Sequence, residues 1–192
     1  MDSDKTRLRR VWTARLVSSS AGDEALAEAL GRWAEEHRFE SVLATLPLNG
    51  EPDLTWFYER WLAEGRPLGL ARTAPDGQMD FGLVARLEDS WKGRAFRLRE
   101  PPRDAAAWTP GQKTLVLVPG LAFAAVSGGV LRLGRGGGYF DRWLAVYRGH
   151  VTSLGVGYPF QLTEALPQEP HDVLLDGYFD SQGFHGGKPG RL

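Results

Sequence analysis

The chain has 192 residues, 42% hydrophobic and 24% charged, the balance of one globular domain with a single sizeable core. Its 23 Lys and Arg stand against 24 Asp and Glu. Bulk charge therefore gives no reason to bind nucleic acid or an anionic membrane, and any anion site must be a local concentration of cations. The absence of cysteine excludes disulfides, thiolate metal ligands and a cysteine nucleophile.

Residues 4–16 read as a helix, with Leu8, Val11, Trp12 and Arg15 or Leu16 on one partly apolar stripe. Lys5 and Arg9 sit four apart and project from the same face; taken alone, that is a solvated basic face. This charged start lacks the apolar core of a signal peptide, and no run approaches a membrane span, so a cytoplasmic location is expected. A second helix spans 23–38 with Leu26, Leu30 and Trp33 inward, after a Ser18-Ser19-Ser20 loop that offers caps. Residues 41–48 read as a strand ended by the turn Asn49-Gly50. A third helix, 54–64, carries Leu54, Phe57, Trp61 and Leu62 inward and stops at Gly65.

Strands follow at 66–71 and 79–86 around the turn Pro75-Asp76-Gly77, then a long loop passage over 87–114. The continuous apolar run Leu115-Val116-Leu117-Val118, closed by Pro119-Gly120, reads as a fully buried strand. An irregular connection leads from it to Arg132-Leu133-Gly134-Arg135-Gly136-Gly137-Gly138-Tyr139-Phe140-Asp141. A helix begins near Gly138, with Phe140, Trp143, Leu144 and Tyr147 inward. Strands at 151–157 and 173–179 follow, and the glycine-rich stretch 181–192 reads as a mobile tail beyond a single domain of residues 1–180. Strands alternating with helices predict an α/β fold with a mainly parallel sheet.

The loop at 132–141 carries the chemistry. Its glycines let the backbone approach a ligand, and the helix start behind them adds free N–H groups and the positive end of the dipole. Arg132 and Arg135 add full charges, so the loop is a phosphate cradle. It is not a Walker A loop, since no Lys-Ser or Lys-Thr closes it. Asp141, one turn into the helix, would repel a phosphate unless a cation lay between them, and magnesium resolves that conflict. The four histidines, at 37, 150, 171 and 185, have no zinc spacing, and no Gly-x-Ser-x-Gly elbow is present. The seven tryptophans read as core and anchoring residues.

Pro119-Gly120-Leu121-Ala122-Phe123 followed by the Arg132–Arg142 segment resembles the signature of the 5-formyltetrahydrofolate cyclo-ligase family. Further similar pieces lie in family order: Lys5-Thr6-Arg7-Leu8-Arg9, Glu51-Pro52-Asp53, Glu100-Pro101, Gly157-Tyr158-Pro159-Phe160-Gln161, Leu166-Pro167 and His171-Asp172-Val173. The resemblance implies a three-layer α/β sandwich of the ribose-phosphate-isomerase and CoA-transferase type. It implies ATP- and magnesium-dependent conversion of 5-formyltetrahydrofolate to 5,10-methenyltetrahydrofolate, with release of ADP and phosphate. Lys5, Arg9, Arg132, Leu133, Gly134, Arg135, Gly136, Gly137, Gly138, Tyr139 and Phe140 would hold ATP. Asp141 and Asp172 would hold magnesium, Glu51 and Tyr139 the folate, with Lys5, Arg9, Arg135 and Asp141 as the catalytic groups. The partners implied are these small molecules alone, on a monomer, with a dimer as the alternative.

The chain departs from the family pattern at Leu54, where Thr is usual; Ala71, where Pro is common; Ala124, usually Asp; and Phe140, usually Tyr. The link from Phe123 to Arg132 is also a few residues longer. These changes fall on the folate side and keep open a relative with an altered folate substrate, or a non-catalytic folate- or nucleotide-binding protein.

Overall fold

In the computed structural model, residues 4–17, 23–74, 76–92 and 99–186 are described. The chain runs α1 (Asp4–Val17), α2 (Asp23–Glu36), β1 (Ser41–Ala44), α3 (Thr55–Ala63), β2 (Leu68–Thr73) and β3 (Met79–Val84). It continues with the short β4 (Trp91–Lys92) and β5 (Arg99–Glu100), then β6 (Thr114–Pro119), β7 (Ala122–Val126) and β8 (Gly129–Leu133). Helix α4 (Tyr139–Tyr147), β9 (Val151–Val156), β10 (Gly177–Asp180) and β11 (Gly183–His185) complete it. The main sheet has the order β11-β10-β9-β6-β1-β2-β3. Strands β10, β9, β6, β1 and β2 pair in parallel, and each edge strand pairs antiparallel to its neighbour.

Alternate residues of the parallel strands serve two cores, as the pleat requires. Val42, Ala44, Leu68, Leu70, Leu115, Leu117, Leu154 and Phe179 face α2 and α3, meeting Leu26, Leu30, Phe57 and Trp61. Leu43, Val116, Val118 and Tyr178 face the opposite way, onto Phe140, Trp143 and Leu144 of α4 and onto Phe123 and Val130 of the β7–β8 pair. The result is a three-layer α/β sandwich with a mainly parallel sheet. Helix α3 ends where Gly65 takes φ +72, its N–H donating to the Leu62 carbonyl at 2.9 Å. No helix of the described residues is long and apolar enough to cross a membrane.

Three sequence expectations change. The connection expected to be irregular is the antiparallel hairpin β7–β8, and it covers the α4 face of the sheet. Within 173–179 only β10 is strand; Leu175 instead exchanges backbone hydrogen bonds with Val130 of the hairpin, at 2.8 and 2.9 Å. The stretch assigned to a mobile tail contains β11, because Phe184 finds Trp33 to stack on, ring centroids 5.6 Å apart, and His185 Nε2 lies 2.9 Å from Asp180. Residues 18–20, Pro75 and residues 187–192 lie outside the described residues.

Candidate active site

Chain order reverses between β1 and β6: β2 and β3 lie to one side, β9, β10 and β11 to the other. In open α/β sheets, ligands bind outside the carboxyl ends of the strands at such a switch point. A cleft opens there. Its floor is Thr45 after β1, Ala71 and Thr73 of β2, and Pro119 and Gly120 at the end of β6. Every residue that the sequence assigned to ATP, folate or magnesium lines it, from Lys5 and Arg9 through Glu51 and the 132–141 loop to Asp172.

The far N-terminus arrives by packing. Trp12 and Leu16 of α1 are buried against Leu121, Ala122, Leu133 and Tyr158. Lys5, Arg9, Trp12 and Leu16 recur every three or four residues, so they share one helix face, and docking its apolar half carries both cations into the cleft. Lys5 is therefore not on a solvated face but 5% exposed. Its Nζ donates to Asp172 Oδ2 at 2.6 Å, Asp172 Oδ1 at 2.8 Å and Glu169 Oε2 at 2.9 Å. Arg9 Nε donates to the Gly134 carbonyl at 3.0 Å.

The loop is shaped by glycine at two points. Gly136 takes φ +104 and Gly138, the residue before α4, takes φ +65; both lie in the left-handed region that side chains disfavour. Gly138 thus turns the chain so that α4 starts with its free N–H groups at the cleft. Arg132 donates through Nη2 to Asp141 Oδ2 at 2.9 Å and through Nη1 to the Pro119 carbonyl at 3.3 Å, while its Nε is buried with no partner. Burial pushes the Arg132 guanidinium below its ordinary pKa, and Asp141, then Asp172, pull the other way. An incoming anion would satisfy both the charge and the orphaned N–H. Arg135 Nε donates to Glu51 Oε1 at 3.0 Å, and Glu51 Oε2 accepts from the Leu48 N–H at 3.0 Å.

Sequence reasoning missed Glu169 and Thr73. Glu169 lies beside Asp172 and His171, the ligand atoms of all three within 4.8 Å of one another. Its only local signal was an acid three residues before Asp172. Thr73 lines the cleft and donates through Oγ1 to the buried Glu100 at 2.6 Å, which gives the Glu100-Pro101 piece a structural role. Of the four departures, Leu54 and Ala124 are buried in the interior and do not line the cleft, whereas Ala71 and Phe140 do. The link from Phe123 to Arg132 forms the β7–β8 hairpin, in which those two residues pair. A second groove adjoins the cleft, sharing Gly136, Gly137, Gly138, Asp141, His171 and Asp172 with it.

The model of the 5-formyltetrahydrofolate cyclo-ligase family matches residues 3–178. A 5-formyltetrahydrofolate cyclo-ligase of Mycolicibacterium smegmatis is 30% identical over 191 residues, covering 89% of this chain and 90% of that protein. A mitochondrial one from Arabidopsis thaliana is 37% identical over 79 residues, 36% of this chain and 27% of its own length. The solution structure of Aquifex aeolicus 5,10-methenyltetrahydrofolate synthetase superposes with a TM-score of 0.78 at 26% identity, over 98% of this chain and 95% of that one. A Mycoplasma pneumoniae 5,10-methenyltetrahydrofolate synthetase shares the fold, with a TM-score of 0.70 at 20% identity over 92% and 98% of the two chains.

Proposed function

The chain belongs to the 5-formyltetrahydrofolate cyclo-ligase family of ligases, and from that premise we propose that it converts 5-formyltetrahydrofolate to 5,10-methenyltetrahydrofolate using ATP and magnesium, releasing ADP and phosphate. The observation that carries this reading is the meeting of Lys5, Asp172 and the 132–141 loop, three distant pieces of chain, around one cleft. An anion cradle flanked by partly shielded carboxylates makes sense for a triphosphate that arrives with a cation.

The formyl oxygen attacks the γ-phosphorus and ADP departs, which turns a poor leaving group into a phosphate ester. The neighbouring folate nitrogen then attacks the activated carbon, and as the ring closes phosphate leaves and that nitrogen gives up its proton. Phosphoryl transfer asks the protein mainly for alignment and charge stabilisation. In this reading the loop N–H groups with Arg132, Arg135, Lys5 and Arg9 hold the phosphates. Glu51, fixed between Arg135 and the Leu48 N–H, and Tyr139 position the folate.

Magnesium takes oxygen donors and keeps several waters. Asp141 and Asp172 present such oxygens on the wall shared with the phosphate loop, so the donor set fits and these two acids would hold the ion. When bound, it neutralises charge on the transferring phosphoryl group. The test is formation of the methenyl chromophore with purified protein, ATP, magnesium and 5-formyltetrahydrofolate, against controls lacking each. No product with all three present overturns the reading, and folate binding without ATP consumption would mark a non-catalytic relative.

A further inference from the structure

Two cations of the cleft are already paired with three of the acids that line it. Lys5 touches both oxygens of Asp172 and one of Glu169, and Arg132 touches Asp141. The pairs are shielded: the side chains of Lys5 and Asp172 are 6% and 9% exposed, those of Arg132 and Asp141 7% and 19%. A divalent ion approaching Asp172 meets an ammonium seated on both of its oxygens, where low dielectric magnifies the repulsion. A polyphosphate does the opposite. It offers Lys5 a new anionic partner and so frees Asp172 for a cation.

We infer that nucleotide and divalent cation enter this cleft by exchange: Lys5 latches Asp172 and Glu169 in the free protein, and releases them to a cation only when a polyphosphate takes the ammonium over. The inference rests on the reading of the cleft as the site for ATP and magnesium. Glu169 is the positioning residue of the latch. Its carboxylate is the third anionic contact of Lys5, and its backbone N–H, 2.6 Å from Asp172 Oδ2, fixes the orientation of that acid. Such a latch couples the two ligands, and by linkage each raises the other's affinity by the same factor. It also keeps the free enzyme from filling its acids with a lone cation, which would leave Lys5 unpaired.

Arg9 provides the control. It lines the same cleft with the same charge but reaches the loop through a neutral carbonyl, that of Gly134. Mn2+ alone is titrated into the full-length protein without nucleotide, and free Mn2+ is read by electron paramagnetic resonance. Lys5→Met is expected to bind Mn2+ more tightly than wild type, by roughly 5- to 150-fold, the usual span of such couplings. Arg9→Met is expected to stay close to wild type. Should Lys5→Met fail to fold, Lys5→Gln removes the charge, keeps a donor for Asp172 and puts the same question. Equal Mn2+ affinity in wild type and the Lys5 variant overturns the latch, as does an equal gain in the Lys5 and Arg9 variants. The chromophore assay on wild type stands apart: turnover without the Mn2+ gain removes the latch alone, and the gain without turnover removes the reaction alone.

Discussion

Arg132 of β8 and Asp141 of α4 are joined at 2.9 Å across the glycine loop, both largely shielded from water. The pair closes the loop at its two ends, so Asp141 is a structural group as well as a proposed metal ligand. Asp141→Ala leaves Arg132 buried without its counter-charge, and breaking a buried pair from one side costs about 3–5 kcal/mol. A substantial loss of urea-unfolding free energy is therefore expected alongside loss of product formation. Asp141→Asn keeps an acceptor for Arg132 and is expected to recover most of the stability while remaining inactive. Full activity in Asp141→Asn would remove the metal role.

Glu51 separates the two substrates. Its carboxylate accepts from Arg135 and from the Leu48 N–H, and Gln in its place keeps an amide oxygen for one of them. A hydrogen bond to a charged group is worth about 1.5–3 kcal/mol, so Glu51→Gln is expected to raise KM for the folate about 10- to 100-fold. KM for ATP should move far less, since the loop keeps its other contacts. Equal changes in both KM values would place Glu51 in the nucleotide site instead.

Much of this was legible in the sequence where the physics is local. The apolar run of β6, the Gly65 stop and the inward stripe of α4 are readable from spacing, and the structure keeps each. The hairpin β7–β8 was not. Ala122, Phe123 and Ala124 are all buried, so the alternation that marks a half-exposed strand is missing, and only Gly128-Gly129 between two apolar runs hinted at a turn. Lys5 was misread for a different reason. Its burial depends on Asp172 and Glu169, more than 160 positions away, and helical spacing alone makes any such lysine look solvated. The family resemblance assigned Lys5 to ATP and Asp172 to magnesium, but it did not pair the two, and nothing in it pointed to Glu169.

Gly138 tests how closely the loop must be shaped. Its φ of +65 lies in the left-handed region, and a Cβ there would come within 2.8 Å of Arg142 Nη1. Arg142 Nη2 donates to the Gly77 and Gly137 carbonyls at 2.7 and 3.0 Å, so a shift of its guanidinium disturbs two contacts, one of them within the loop. The left-handed conformation alone costs a non-glycine residue about 1–2 kcal/mol. Gly138→Ala is expected to lower Tm modestly and to cut kcat/KM for ATP more than tenfold, because a displacement of about 1 Å at a positioned phosphate is worth about a hundredfold in rate. Unchanged ATP kinetics would remove the loop from the nucleotide site.

Stability at high pH turns on three buried phenols. Burial first, then the nearby carboxylates, raises Tyr58 (Asp53 and Glu51), Tyr158 (hydrogen-bonded Asp23) and Tyr178 (Asp180) well above the ordinary value of 10.0. A raised pKa means that the folded chain holds the proton after the unfolded chain has lost it. The associated stability is therefore complete below pH 10 and falls as pH rises from there toward the folded-state values. Over that window the fully buried Tyr58 steepens the loss by about 1.4 kcal/mol per pH unit. The native protein is expected to show little tyrosinate absorbance from these residues until it unfolds, and Tm is expected to drop steeply above pH 10. Tyr58 is the position to change, because its hydroxyl reaches the Thr45 carbonyl only at 3.4 Å, and losing so long a bond costs little. Tyr58→Phe should match wild type near neutral pH and lose stability less steeply above pH 10; an unaltered alkaline slope would show that its phenol does not titrate late in the folded protein.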